Sequence, residues 1–136
     1  MLSLFYMDST FKKYERLNSS LAIQDLLKQG QILSSFPLKI YWISKAGSGQ
    51  KSPARVAISV PKKKFRRAVD RNLLKRRIRE SYRKNKHGLY QSLNSSGCEV
   101  NLLILFLSDE FSPYAEIDEK LKDLLSKLIL NIGKCA

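Results

Sequence analysis

The pattern of apolar and polar positions along the chain predicts four β-strands. Leu38–Ile43 and Arg55–Val60 alternate between two sets of side chains, as strands with one buried face do. Ile32–Phe36 reads as a shorter strand, and Pro37 behind it indicates a sheet edge or a bend. Val100–Leu107 is almost continuously apolar, which is typical of a strand buried on both faces.

Two segments keep the three- and four-residue spacing of short amphipathic helices. The first covers Leu21–Gln29, follows a pair of serines that can cap it, and has Gly30 as its stop signal. The other begins after Pro113 and keeps its apolar stripe as far as Ile132. Both are predicted to pack one side against the sheet.

The longest predicted helix begins at Phe65 or Ala68 and ends at Asn85. Residues 87–97 are predicted to form a polar connector with at most one further turn of helix. The resulting order, α-β-β-β-α-β-α, indicates an α/β two-layer sandwich in which one four-stranded sheet is packed by helices. We expect a single domain over residues 1–136, with residues 1–8 disordered or upstream of a true start at Met7. The packing stripe of the long helix is predicted to be Leu74, Ile78 and Tyr82.

Positive charge is concentrated in one stretch. The chain has 25 Lys and Arg residues against 12 Asp and Glu, a net charge of +13. The basic segment, Lys62–Lys86, contains 13 of these cations and only Asp70 and Glu80 as anions, whereas residues 87–136 carry a net charge of −3. A pI near 9.9 with clustered cations is typical of a polyanion binder. Composition alone does not separate RNA, DNA and an anionic membrane.

The packing stripe leaves most of the long helix cationic. Neighbouring like charges on a helix repel one another, but a binding face tolerates this repulsion because phosphates release their condensed counterions on contact. Arginine suits such a face since its planar fork bridges two phosphate oxygens or stacks on a base. The residues predicted to share or flank this face are Arg71, Asn72, Lys75, Arg76, Arg79 and Arg83.

These residues also carry a resemblance to a known family. The strand sequence RVAISV, the paired lysines after it and the run AVDRNLLKRRIRESYR are similar to the signature of the ribonuclease P protein component. Phe11–Leu17 resembles the family's lead-in to the first helix. The resemblance implies the ribosomal protein S5 domain 2-like fold, with a left-handed βαβ crossover. The family's helix pattern, A-x-x-R-N-R-x-K-R-x-x-R, is matched at Ala68, Arg71, Asn72, Lys75, Arg76 and Arg79.

Two features depart from the family pattern. Leu73 stands where the family has the second arginine of its Arg-Asn-Arg triplet, and Arg77 is a candidate to supply the missing contact. Ile23 and Leu27 stand on the first helix where the family tends to place aromatic residues that face a cleft. We therefore do not assign base stacking to this helix.

The resemblance implies a protein subunit of an RNA enzyme. Ribonuclease P RNA, with bound magnesium, removes the 5′ leader of precursor tRNA; one protein per RNA grips that RNA and receives the single-stranded leader in a cleft. The residues expected to bind the catalytic RNA are Lys62, Lys63, Lys64, Arg66, Arg67, Arg71, Asn72, Lys75, Arg76, Arg79 and Arg83. Those expected to line the leader cleft, as a cationic track with aromatic platforms, are Phe11, Lys12, Lys13, Arg16, Tyr41, Arg55 and Ser59.

The polypeptide itself is expected to contain no catalytic residue, metal ligand or cofactor. His87 is the only histidine, so no histidine pair is present for acid–base cleavage of RNA. The carboxylates of the last helix lie opposite its apolar stripe and suit a solvated surface. The sequence Gly47-Ser48-Gly49 lacks the strand–helix context of a phosphate-binding loop. Magnesium is expected only in the RNA-containing holoenzyme.

Two other classes of function remain open at this point. A ribosomal-type or RNA-chaperone protein without a link to tRNA processing would share the charge, but not the motif spacing. A DNA-binding protein is disfavoured because no dimerising heptad follows the basic helix and no helix-turn-helix spacing precedes it. Since no run approaches the roughly 18–20 apolar residues of a membrane span and no signal sequence is recognisable, we expect a cytoplasmic protein without a membrane partner.

Overall fold

Four strands form one mixed sheet in the structure of this chain, a computed structural model that describes residues 11–132. The expectation about residues 1–8 falls outside that range. The sheet order is β1-β2-β4-β3. β2 is antiparallel to both β1 and β4, whereas β3 is parallel to β4. The strands are β1 (Gln31–Ser35), β2 (Leu38–Ala46), β3 (Ala54–Ser59) and β4 (Cys98–Phe106).

Three helices accompany the sheet: α1 (Ser20–Gln29), α2 (Ala68–Ser96) and α3 (Tyr114–Asn131). A short 3-10 turn, Lys13–Glu15, precedes α1. The predicted order of helices and strands and the predicted α/β class are thereby confirmed. Helix α2 connects two parallel neighbours, β3 and β4, so it crosses the sheet and places the basic segment beside it.

Strand β4 occupies the centre of the sheet and is buried on both faces, as its continuous apolar run predicts. On one face Leu102 and Ile104 meet the apolar sides of α2 and α3. Trp42 of β2 belongs to this same core. The predicted packing stripe of α2 is confirmed, since Leu74, Ile78 and Tyr82 are all fully buried.

Helix α2 is longer than the sequence pattern predicts. The polar connector predicted for residues 87–97 is wrong, because the helix continues to Ser96. Leu89 and Leu93 extend the buried stripe toward the C-terminal end, and their packing outweighs the weak helix propensity of the polar residues around them. Gly97 ends the helix in the left-handed conformation, with φ of 70°.

Helix α1 packs on the opposite face of the sheet. Leu26 and Leu17 form a small second core with Leu103 of β4. Gly30 ends α1 as predicted, and its N–H donates to the Leu26 carbonyl at 2.9 Å. A side chain at this position would clash, since a Cβ on Gly30 would lie 2.4 Å from that carbonyl oxygen.

The segment before α1 runs along β3. The N–H of Leu17 donates to the carbonyl of Val56 at 2.9 Å, and Arg16 forms an isolated parallel bridge with Val56. This segment therefore lies between the sheet face that carries α1 and the long helix α2. Within residues 11–132, the chain forms no helix that is long and apolar enough to cross a membrane.

Candidate nucleic-acid interface

The basic segment begins as an irregular turn over residues 61–67 and continues as the first half of α2. The turn is fixed by Phe65, which is buried and packs against Phe106 of β4 with 5.9 Å between ring centroids. The cations around it are held at the surface as a result. The exposed residues of this turn are Lys62, Lys63, Lys64, Arg66 and Arg67.

Part of the predicted RNA-binding set also holds the protein's own structure. The Arg71 guanidinium donates to the carbonyls of Phe65 and Arg66, both at 2.8 Å, and so closes the turn onto α2. Lys64 Nζ donates to the carbonyl of Leu107 at 2.6 Å. These cations orient the turn, and their remaining N–H groups are the ones left for a ligand.

Two further arginines of the set pair with the only acidic residues of the basic segment. Arg67 Nε lies 3.0 Å from Asp70 Oδ2, and the hydrogen bond from Arg67 holds the pKa of Asp70 below its ordinary value. Arg83 Nε donates to Glu80 Oε2 at 3.1 Å and lowers the pKa of Glu80 in the same way. Exposed pairs of this kind are weak, so a phosphate can compete for either guanidinium.

The centre of α2 presents its polar groups outward. Asn72, Arg76 and Arg79 are exposed on the face opposite the buried stripe, and Lys75 lies half-buried beside them. Within residues 11–132, no hydrogen-bond partner or ion-pair partner is present for Asn72, Arg76 or Arg79. These three side chains therefore keep their full set of donors for phosphates, sugars or bases.

The last cation of the basic segment lies in the interior. Lys86 is buried, and its Nζ lies 2.5 Å from Oε1 of Glu15, which is equally buried. In the sequence, Lys86 is the last residue of the cationic stretch. Its position four residues after Tyr82 continues the spacing of the packing stripe, and this spacing was the available signal that Lys86 faces the core.

A groove separates the N-terminal segment from α2. Its volume is about 370 Å³, and one wall is formed by Phe11 and Arg16, the other by Lys75 and Arg79 of α2. The Arg16 guanidinium lies 5.4 Å from the centroid of the Phe11 ring, and that ring packs edge-on against Tyr82 at 5.8 Å. The groove thus combines an aromatic ring with cations from two different elements.

A second groove continues around Arg16. It brings Lys13 and Arg55 together, and its volume is about 490 Å³. Arg55 Nε is buried without a hydrogen-bond partner in the described part of the chain. The predicted cleft residues Phe11, Lys13, Arg16 and Arg55 are therefore brought together by these two neighbouring grooves, and Lys12 is exposed on the same segment.

Two predicted cleft residues lie elsewhere on the sheet. Tyr41 is half-buried beside the small core under α1, with Lys39 Nζ 4.9 Å from its ring centroid. Ser59 lies at the end of β3, two residues from Ala57 on the same face. Neither lines the grooves. Ile23 lines the first groove, and Asn18 lines both. Asn18, which precedes the serine cap of α1, was not among the predicted cleft residues.

Within residues 11–132, no cluster of three or more His, Cys, Asp or Glu side chains could hold a metal ion. His87 lies on α2 beyond the cationic face. The arrangement therefore offers cations, amide donors and an aromatic ring, which are groups that bind a polyanion.

Comparison with known proteins identifies the family. The model of the family described as Ribonuclease P matches residues 11–129. The chain belongs to the ribonuclease P protein family. This membership confirms the predicted family and its function, that of the protein component of ribonuclease P, which associates with the ribonuclease P RNA.

Relatives with the same name cover most of the chain. The ribonuclease P protein component of Porphyromonas gingivalis is 30% identical over 125 residues, which is 91% of this chain and 90% of that protein. The ribonuclease P protein component of Chlorobaculum tepidum is 35% identical over 117 residues, 77% of this chain and 76% of that protein. The similarity is therefore not confined to the basic helix.

Solved structures support the fold. The RNase P protein of Staphylococcus aureus matches with a TM-score of 0.65 at 21% identity, covering 84% of this chain and 94% of that one. The RNase P protein from Thermotoga maritima matches with a TM-score of 0.63 at 24% identity, covering 83% and 96% of the two chains. The predicted fold is the fold of these proteins.

Proposed function

We propose that the two surfaces of this ribonuclease P protein have separate ligands. The exposed face of α2 and the basic turn bind the catalytic RNA, and the groove beside them receives the single-stranded 5′ leader of precursor tRNA. The observation that carries this proposal is the groove itself, in which Phe11 and Arg16 face Lys75 and Arg79. One side of α2 thus adjoins the groove, while the rest of its cationic face points away from it.

The chemistry of the groove suits a single strand. An unpaired base can stack on an aromatic ring, and the phosphates on either side can be neutralised by flanking cations. A duplex presents its bases already stacked and paired, so they cannot stack on the Phe11 ring. The groove therefore favours the unpaired leader over a helical part of either RNA.

The exposed face of α2 suits the catalytic RNA. Among the described residues Arg76 has no protein partner on the outward face of this rigid helix, and Arg79 continues that face up to the edge of the groove. Asn72 adds an amide that can bond a base edge or a 2′-hydroxyl. We assign one protein to each RNA, and we assign the magnesium of the reaction to the RNA. On this proposal the holoenzyme is cytoplasmic, and the protein supplies cations that bring the catalytic RNA and its precursor tRNA together.

A leader-length series tests the groove directly. The holoenzyme is reconstituted with ribonuclease P RNA, and affinity is measured for precursor tRNAs whose leaders range from none to eight or more nucleotides. We expect affinity to rise with leader length, and we expect Arg16→Ala to reduce that rise. Lys28→Ala serves as the control, because Lys28 is an exposed cation at the end of α1 that lines neither groove.

The same series separates the alternative function. A ribosomal-type or RNA-chaperone protein would bind RNA without distinguishing precursor from mature tRNA. If affinity does not depend on the leader, the proposed leader groove is wrong. If the protein also fails to bind ribonuclease P RNA, the assignment of α2 is wrong as well.

A further inference from the structure

Glu15 is the centre of a buried polar cluster that joins three parts of the chain. Its carboxylate accepts hydrogen bonds from Lys86 Nζ at 2.5 Å and from the Tyr90 hydroxyl, both on α2. The second carboxylate oxygen accepts the backbone N–H of Lys12 at 2.5 Å. Ser52, from the loop before β3, donates to the Tyr90 hydroxyl at 3.2 Å.

This cluster is unusual in its burial. The side chains of Lys86 and Glu15 are 2% and 3% exposed. A buried ion pair contributes little net stability over an apolar pair of similar size, because both charges lose their hydration. It does, however, fix one geometry, since each charged group must keep its particular partner. The pair is therefore better suited to holding a position than to adding stability.

The segment that this buried pair holds in place forms one wall of the groove. Glu15 lies in the 3-10 turn Lys13–Glu15, with its side chain inward, while the side chains of Lys12 and Lys13 are exposed. Arg16 follows directly and lies over the Phe11 ring. Anchoring Glu15 to α2 thus sets the outward direction of these cations and their distance from the helix that forms the opposite wall.

We infer that Glu15 and Lys86 are positioning residues for leader binding. The buried pair fastens the segment 11–17 to α2 and presents its cations to the leader in one arrangement. This inference rests on the proposed leader groove. It assigns Lys86 a role inside the protein rather than on the RNA, although Lys86 belongs to the basic segment.

Two variants separate positioning from stability. Glu15→Gln keeps the size of the side chain but removes the negative charge that lies 2.5 Å from Lys86 Nζ. The double variant Glu15→Leu with Lys86→Met replaces the pair by apolar side chains, which restores stability but provides no directed bond to hold the turn. Asp123→Asn is the matched control, since it removes a carboxylate from an exposed pair with Lys127 on α3.

The readout is affinity of the reconstituted holoenzyme for precursor tRNA with a long leader and for leaderless tRNA. Both Glu15 variants are expected to lower affinity for the leader-bearing substrate about tenfold, because cations that lose their preorganisation must be ordered on binding. For these two variants, affinity for leaderless tRNA and for the catalytic RNA is expected to stay near the wild-type value. The control Asp123→Asn is likewise expected to leave both of these affinities near the wild-type value.

Hydrogen exchange provides a second measurement on the same proteins. The N–H of Leu17, which donates to Val56, is expected to exchange faster in both variants, with exchange in β4 unchanged. If the double variant recovers leader affinity together with stability, the pair is structural only and the inference is overturned. If the wild-type holoenzyme shows no leader dependence, the proposed groove fails instead, and the two failures are thus distinguished.

Discussion

Arg77 Nη1 donates a hydrogen bond of 2.6 Å to the carbonyl oxygen of Ser112. The bond ties the centre of α2 to the loop that leads into α3. Leu73, one turn earlier on α2, occupies the position where the family pattern has an arginine. Since the Arg77 guanidinium holds this loop, only its remaining N–H groups are left to replace the contact missing at Leu73.

Arginines of one helix should therefore differ in their effect on RNA binding. Replacing both Arg76 and Arg79 by Ala should reduce the slope of log affinity against log salt concentration by about 2, roughly one for each lost phosphate contact. Arg77→Ala should change the slope much less. Binding of ribonuclease P RNA is measured as a salt titration, and equal slopes for all three proteins would contradict direct phosphate contact by Arg76 and Arg79.

Lys13 should act on the leader rather than on the tRNA body. Its side chain is exposed beside Arg16 and Arg55 in the second groove. Lys13→Ala should weaken binding of leader-bearing precursor tRNA several-fold, about 1 kcal/mol for one lost charge-assisted contact, and leave leaderless tRNA unchanged. Tyr41→Ala tests in the same assay whether the leader also contacts the sheet face that carries Tyr41. If either variant lowers affinity for leader-bearing and leaderless tRNA equally, the leader binds elsewhere.

The contact between α2 and α3 should be sensitive to a single hydroxyl. Ser81 is fully buried, and its Oγ donates to Asp118 Oδ1 at 2.7 Å. Ser81→Ala removes one hydrogen bond to a charged group and should lower the free energy of unfolding by about 1–3 kcal/mol. Urea unfolding measures this change. Ser126→Ala, on the exposed side of α3, is the control and should leave the midpoint unchanged.

Asp118 should make stability depend on pH in the acid range. Burial raises its pKa, but hydrogen bonds from Ser81, Lys122 and Asn85 outweigh burial and hold the pKa below its ordinary value. A carboxylate with a depressed folded-state pKa stabilises the fold above its unfolded pKa of about 3.9, and this stabilisation is lost as pH falls through the folded pKa.

Comparison with Asp118→Asn isolates this effect. Other carboxylates with lowered pKa values, such as Glu99, contribute to the acid sensitivity of both proteins. The wild-type protein should lose more unfolding free energy than the variant between pH 7 and pH 3. Urea midpoints at the two pH values give the difference. If the variant loses as much unfolding free energy as the wild-type protein, the pKa of Asp118 is not lowered in the folded state.

The buried pair should show strong non-additivity in stability. Lys86→Met alone leaves Glu15 charged and buried and should cost about 3–5 kcal/mol of unfolding free energy. Adding Glu15→Leu should recover most of this loss, because neither charge then remains. A double-mutant cycle by urea unfolding measures the coupling. If the loss of unfolding free energy in the double variant equals the sum of the losses in the two single variants, the two charges do not compensate each other.

The sequence was sufficient for the order of elements because each has a clear local signal. The alternation in β2 and β3, the apolar run of β4 and the serine cap of α1 all lie within short windows. The part of α2 beyond Asn85 was not predicted, because it is stabilised by packing against elements that are distant in the sequence. Leu89 and Leu93 become buried only when β4 and α3 are in place, and the polar residues between them suggest a loop.

In the candidate site, too, the features with a local sequence signal could be predicted and those set by distant contacts could not. The cationic face of α2 follows from one helical period and could be predicted position by position. The grooves depend on how the segment 11–17 lies against α2, and the contact that sets this arrangement joins Glu15 to Lys86, 71 positions apart. Local periodicity carries no information on such a pair. The same distance effect explains why the predicted cleft residue Tyr41 does not line the grooves.

Cleavage of precursor tRNA by ribonuclease P RNA at low magnesium tests the central claim most directly. The measurement compares the RNA alone, the RNA with this protein, and the RNA with the Arg76→Ala, Arg79→Ala protein. The proposed function predicts that the wild-type protein raises the cleavage rate and the affinity for leader-bearing substrate, and that the variant requires more protein or less salt to do so. Cleavage that the wild-type protein leaves unchanged would contradict its assignment as the protein subunit.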